Sequence, residues 1–97
     1  MRLWQDTTAH TEVWARPLKG SVDSGPVAAA YLLNRGLNPQ NVTLEWSALA
    51  ALGPEWHGMK NGAVRDLYHR QAVGYREDGV TMLLAPHGSA LLRVTAV

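Results

Sequence analysis

Ninety-seven residues make one domain's worth of chain, too short for a (β/α)₈ barrel, which takes about 200 residues or more. Nine Lys and Arg against eight Asp and Glu leave a net charge of +1, which offers nucleic acid no basic footprint. The absence of cysteine excludes a disulfide framework, a thiolate metal site and a thiol nucleophile.

The residues from Met1 to His10 carry Arg2 and Asp6 and no apolar run, so they do not read as a signal peptide. The longest apolar run, Val27 to Leu33, has seven residues, where a membrane-spanning helix needs about 20. One domain over residues 1–97 is therefore expected, with neither nucleic acid nor membrane as partner. Turn residues recur at Gly20, Ser24-Gly25-Pro26, Gly36 to Pro39, Gly53-Pro54, Asn61-Gly62, Gly74, Asp78-Gly79 and Pro86 to Gly88. Short apolar stretches between such punctuation predict an all-β sandwich or barrel.

In chain order, Val13-Trp14-Ala15 is β-prone, and Pro17 near its end marks an edge or an exit. The segment Gly25 to Gly36 meets the local rules for a helix, with Pro26 in a first-turn position, three alanines and a closing glycine. Its apolar run equally suits a buried central strand, and periodicity does not choose between them. Val42, Leu44 and Trp46 alternate with Thr43 and Glu45 as a half-buried strand does. Ser47 to Leu52 reads as a short helical turn that Ser47 could cap. From Ala63 to Tyr68 the alternation sets Asp66 on the more apolar face, beside Val64. A carboxylate there needs donors, either backbone N–H groups or a basic partner such as Arg16, Arg35 or His69. Asp66 thus reads as a structural polar anchor rather than a catalytic acid. Val80, Met82 and Leu84 form a strand face after an Asp78-Gly79 turn, and Ala90, Leu92, Val94 and Ala96 form another.

The search for chemistry is mostly negative. His10, His57, His69 and His87 follow no metal-ligand spacing. Ser21, Ser24, Ser47 and Ser89 lie in no nucleophile elbow, and no glycine-rich phosphate loop is present. Glu77 and Asp78 read as a solvated hairpin tip rather than a glycosidase acid pair. No catalytic, cofactor-binding or metal-binding residue is expected. Trp14 and Trp46 read as core, while Trp56 in the loop Glu55-Trp56-His57-Gly58 is the indole best placed for exposure. Trp4, Trp56, Tyr68 and Tyr75 are the candidate contacts to a ligand or a neighbouring domain, because aromatic faces stack well on sugar rings. Asn41-Val42-Thr43 matches a glycosylation sequon by pattern.

Several segments together carry a family resemblance: Glu12-Val13-Trp14-Ala15-Arg16-Pro17-Leu18, Val27 to Gly36, Val42-Thr43-Leu44-Glu45-Trp46, Val64-Arg65-Asp66-Leu67-Tyr68, and Ala85 to Arg93. In this order they resemble the C-terminal β-sandwich domain of family 27 glycoside hydrolases, the alpha-galactosidase or melibiase family. The resemblance implies an antiparallel Greek-key β-sandwich of about seven or eight strands. Under it, Val27 to Leu33 is a central strand ending at Asn34-Arg35, and Pro86-His87-Gly88 turns into the last strand. It also implies a non-catalytic accessory domain packed on a (β/α)₈ barrel that removes terminal α-galactose with retention. The catalytic aspartates of such enzymes belong to the barrel, and no position here matches their motifs. An extracytoplasmic location follows from the resemblance alone. A carbohydrate-binding module using exposed aromatics is the alternative. Tyr68 stands where the family usually has Trp, the Ala48 to Lys60 connection is longer than usual, and the turn at Asp78 differs in sequence.

Overall fold

A computed structural model of the chain describes residues 1–7, 10–18 and 26–97. It contains the strands β1 (Arg2–Asp6), β2 (Thr11–Leu18), β3 (Val27–Asn34), β4 (Gln40–Glu45), β5 (Asn61–Asp66), β6 (Gln71–Glu77), β7 (Gly79–Leu84) and β8 (Ser89–Ala96). Two 3₁₀ segments, Trp46–Leu52 and Pro54–Trp56, fill the β4–β5 connection, the first where a helical turn is expected. The expected turns at Gly20 and Ser24-Gly25 lie outside the described residues, as do Ser21 and Ser24.

All pairings are antiparallel, and the two sheets are unequal: β1-β2-β3-β8-β5-β6 in one, β4-β7 in the other. This is the all-β sandwich the sequence implies. After β6 and β7 the chain returns as β8 to lie beside β5, the Greek-key connection. The Val27–Asn34 segment is a strand, because its neighbours override local helix preference. β2 pairs with it on one side and β8 on the other. Its alternate residues Ala28, Ala30 and Leu32 are buried. Pro17 pairs opposite Ala28 in a part of β2 that β1 does not reach, so its missing N–H breaks no ladder bond there.

The core lies between the sheets. Val13, Ala28, Ala30, Leu32, Leu92 and Val94 of the large sheet face Val42, Leu44, Val80 and Leu84 of the small one. Trp46 closes the gap at one end. It is fully buried, and its indole N–H donates to Arg76 O at 3.0 Å. The expected hairpin tip at Glu77-Asp78 is corrected: β6 pairs with β5 and β7 with β4, so Asp78 is the corner where one ribbon changes sheets. The corner is tied on both sides, Trp46 N–H donating to Asp78 O and Asp78 N–H to Lys60 O, each at 2.8 Å. Asp78 has φ +61°, an αL corner position that Asp tolerates better than most residues. Beside it, a Cβ on Gly79 would come within 2.5 Å of Leu44 O, so only glycine fits the crossing.

Asn34 ties the other end. Its amide is completely buried, and Nδ2 lies 2.9 Å from Asn38 O, 3.2 Å from Leu84 O and 3.1 Å from Ala85 O. Gly36 N–H donates to its Oδ1 at 2.9 Å. One side chain thereby fixes both the β3–β4 and the β7–β8 loops, an economical answer to the cost of burying polar groups.

The Trp46 ring presses on β5 at Gly62, where an added Cβ would sit 2.8 Å from Trp46 Cζ2 and 2.9 Å from Met59 Cε. Met59 is flexible, but the buried indole is not. Gly62→Ala is expected to destabilise the domain by about 1–3 kcal/mol through overpacking. The check is a lower urea midpoint with an unchanged denaturant slope.

Candidate functional site

Three places outside the core combine polar or aromatic groups in a defined geometry. The first is the outer face of the large sheet. Val13 and Ala15 point inward, so alternation turns Glu12 and Trp14 outward. Glu12 is nonetheless buried, because its neighbours cover it: Trp14 Nε1–H donates to Oε1 at 2.9 Å and Arg35 Nε reaches Oε2 at 2.7 Å. The Arg2 guanidinium stands 5.9 Å from the centre of the Trp14 ring, within cation–π range. Trp14 is thus held at its N–H and on a face, and it lines a shallow apolar hollow of about 240 Å³ with Ala29, Tyr31 and Leu91. The core placement expected for Trp14 is corrected: the residue is 39% exposed, since the polar-flanked side of β2 is the outer one.

The second place is the β5–β6 loop. Asp66 is buried at the end of β5, and the chain turns back at once, Asp66 pairing with Gln71. His69 N–H donates to Oδ1 at 3.1 Å, and His69 Nδ1 lies 2.8 Å from Oδ2. Of the partners expected for Asp66, His69 is therefore the one found, together with backbone N–H groups. Burial pushes the Asp66 carboxyl up, but the hydrogen bonds and charge of His69, with the Tyr68 backbone N–H, outweigh it and hold the pKa below the ordinary value. The carboxylate is a loop anchor. Arg70, at φ +52°, completes the reversal.

The third place is a groove at the opposite edge. The large sheet has six strands and the small one two, so the large sheet overhangs it. Trp4 pairs with Val13 and Asp6 with Thr11, which sets both side chains on the inward side of β1. There they meet Gln40, Asn41, Thr43 and Glu45 of β4 across a groove of about 480 Å³.

The four aromatic candidates do not converge. Trp4 is half-buried in β1, whereas Tyr75 is exposed on β6 at the far edge of the same sheet. With strands about 4.8 Å apart, the two lie roughly 24 Å from one another. Tyr68 is exposed in the β5–β6 loop. The exposure expected of Trp56 is corrected: only 1% of it is accessible, because the 3₁₀ segments fold its loop onto the core. The signal was present, as Leu49, Leu52 and Trp56 recur at helical spacing. Among the described residues no group of three or more His, Cys, Asp or Glu is placed to hold a metal ion, and no helix is long and apolar enough to cross a membrane.

Against this geometry the comparisons are specific. The family model of the alpha galactosidase C-terminal β-sandwich domain matches residues 8–94, and the chain belongs to that family. Among solved structures, the chain superposes on a family 27 β-L-arabinopyranosidase from Geobacillus stearothermophilus with a TM-score of 0.75 and 17% identity, over 99% of this chain and 19% of the other. Alpha-galactosidase I from Mortierella vinacea gives a TM-score of 0.74 and 21% identity over 99% of this chain and 24% of that one. The alpha-galactosidase of Saccharomyces cerevisiae, solved with raffinose, gives 0.68 and 13% over 99% and 32%. The chain therefore spans less than a third of the length of each of these structures, which share its fold. A comparison with curated proteins finds no match.

The Asp66 anchor carries a pH signature. Its folded-state pKa lies below the unfolded value of 3.8, so the stability it contributes is complete above that value and disappears as pH falls through the folded one. Asp66→Asn is expected to lower the urea midpoint at pH 7 and to narrow the gap to wild type steadily below about pH 4. A gap that stays constant down to about pH 2 would show that the charge of Asp66 is irrelevant to stability.

Proposed function

We propose that this chain is the accessory domain of a glycoside hydrolase, stabilising a (β/α)₈ catalytic barrel against which the outer face of its large sheet packs. The observation that supports this most is the presentation of Trp14. An indole pinned by a buried carboxylate and capped by Arg2, beside Ala29, Tyr31 and Leu91, is a rigid aromatic anchor. Such anchors dominate interfaces, because little side-chain freedom remains to be lost on contact. A contact of about 1,000 Å² is ordinary between domains of one chain.

On this reading the domain performs no chemistry. The barrel would carry the catalytic carboxylates and hydrolyse terminal α-galactosides with retention. Membership of the family supports the substrate class. The same sandwich accompanies a β-L-arabinopyranosidase and alpha-galactosidases, so the choice of sugar belongs to the barrel.

The test is a fusion. Placed behind a family 27 barrel stripped of its own sandwich, the chain should raise the barrel's Tm and bring no change in which glycoside is cleaved. Tyr31→Arg should remove that gain while the free domain melts as before, since Tyr31 lies outside the core. A barrel equally stable with and without the domain would overturn the proposal. So would turnover of a chromogenic α-galactoside by the 97-residue chain alone.

A further inference from the structure

We propose that the recess between Arg65 and Arg93, on the outer face of the large sheet, seats a carboxylate side chain of the catalytic barrel. The inference rests on docking of the barrel at that face and adds the chemistry the barrel must bring to it.

In the β5–β8 ladder Arg65 stands directly opposite Arg93. Val64, Asp66, Leu92 and Val94 are buried, so alternation turns both arginines outward, and both are exposed. Opposed residues of an antiparallel pair lie about 5 Å apart at Cα, and like charges placed this way destabilise a sheet. Neither arginine enters an ion pair or a hydrogen bond among the described residues. The sheet therefore carries a local repulsion, which an anion between the two guanidinium groups converts into attraction. Space for one is present. Ala63, Ala72 and Thr95 flank the pair with short side chains and leave a recess of about 180 Å³. Each guanidinium can donate to one of the two oxygens of a carboxylate held there.

The surroundings select the source of that carboxylate. Ala29 lies opposite Arg93 in the β3–β8 ladder and also lines the hollow beside Trp14. Leu91 lines the same hollow, about 7 Å from Arg93 along β8. One cross-strand row runs Arg16, Ala29, Arg93, Arg65, and Arg16 borders the hollow as well. A pinned indole with arginines beside it has the composition of a contact between proteins, where Trp, Tyr and Arg are enriched. The hollow supplies contact area, and the arginines supply orientation. A barrel surface fits over them without burying unpaired charge when it places an acid opposite Arg65 and Arg93.

The experiment uses the fusion to a family 27 barrel and reads the rise in Tm that the domain brings. Arg65→Gln combined with Arg93→Gln should remove about half of that rise or more, while the free domain melts no lower than before. Raising NaCl from about 0.05 M to about 0.5 M should shrink the rise given by the unaltered domain and leave that of the double variant unchanged. In Arg93→Lys or Arg65→Lys, a water-soluble carbodiimide should join the new amine to an Asp or Glu of the barrel as an amide, which mass spectrometry of the digested fusion locates. If the unaltered domain brings no rise, the docking reading fails and this inference falls with it. If the rise is present and is lost in Tyr31→Arg, but survives whole and equally salt-sensitive in the double glutamine variant, docking stands and the carboxylate seat is overturned. Absence of any cross-link to the barrel from both lysine variants overturns it as well.

Discussion

A two-stranded sheet is not stable by itself in water, so β4 and β7 exist only while they are held to the larger sheet. Trp46 is the joint. It follows β4, fills the space beneath β5 at Gly62 and spends both of its N–H groups on the ribbon that changes sheets, the indole on Arg76 O and the backbone on Asp78 O. The corner at Asp78 and the small sheet are thus fixed by the residue that also supplies the largest buried apolar surface at that end. Loss of the ring would remove packing and leave the corner carbonyl of Arg76 without its donor, which is why burial and hydrogen bonding act here as one interaction.

Much of this architecture was readable from residue order. The alternation of Val42, Leu44 and Trp46, and that of Ala90, Leu92 and Val94, follows from a strand with one wet face and one dry face. The Val27–Asn34 strand was ambiguous on local grounds. Proline, alanines and a closing glycine favour a helix, the family resemblance pointed to a strand, and the physical reason is its position between two other strands, a tertiary fact invisible to a local window. The identity of the partner for Asp66 was open for the same reason. Arg16, Arg35 and His69 all suited it chemically, and the reach of a tight loop selected His69.

The tryptophans teach the sharper lesson. Trp14 belongs to the same strand face as Glu12, and a carboxylate neighbour two residues away was the sign that this face looks outward. Trp56 sits between glycines and charges, which suggested solvent, yet Leu49 and Leu52 before it continue an apolar period that the 3₁₀ segments obey. The groove between β1 and β4 had no local signature at all. It arises because one sheet is wider than the other, and strand counts per sheet are not written in any single segment.

The placement of β8 has a consequence for synthesis. Until residues 89–96 leave the ribosome, β1-β2-β3 and β5-β6 are separate fragments, each with an unsatisfied edge where the last strand will lie. Closure of the large sheet therefore waits for β8, with two open edges exposed in the interval. Loss of residues 89–96 would remove the strand that joins β3 to β5, leaving adhesive half-sheets destined for proteolysis.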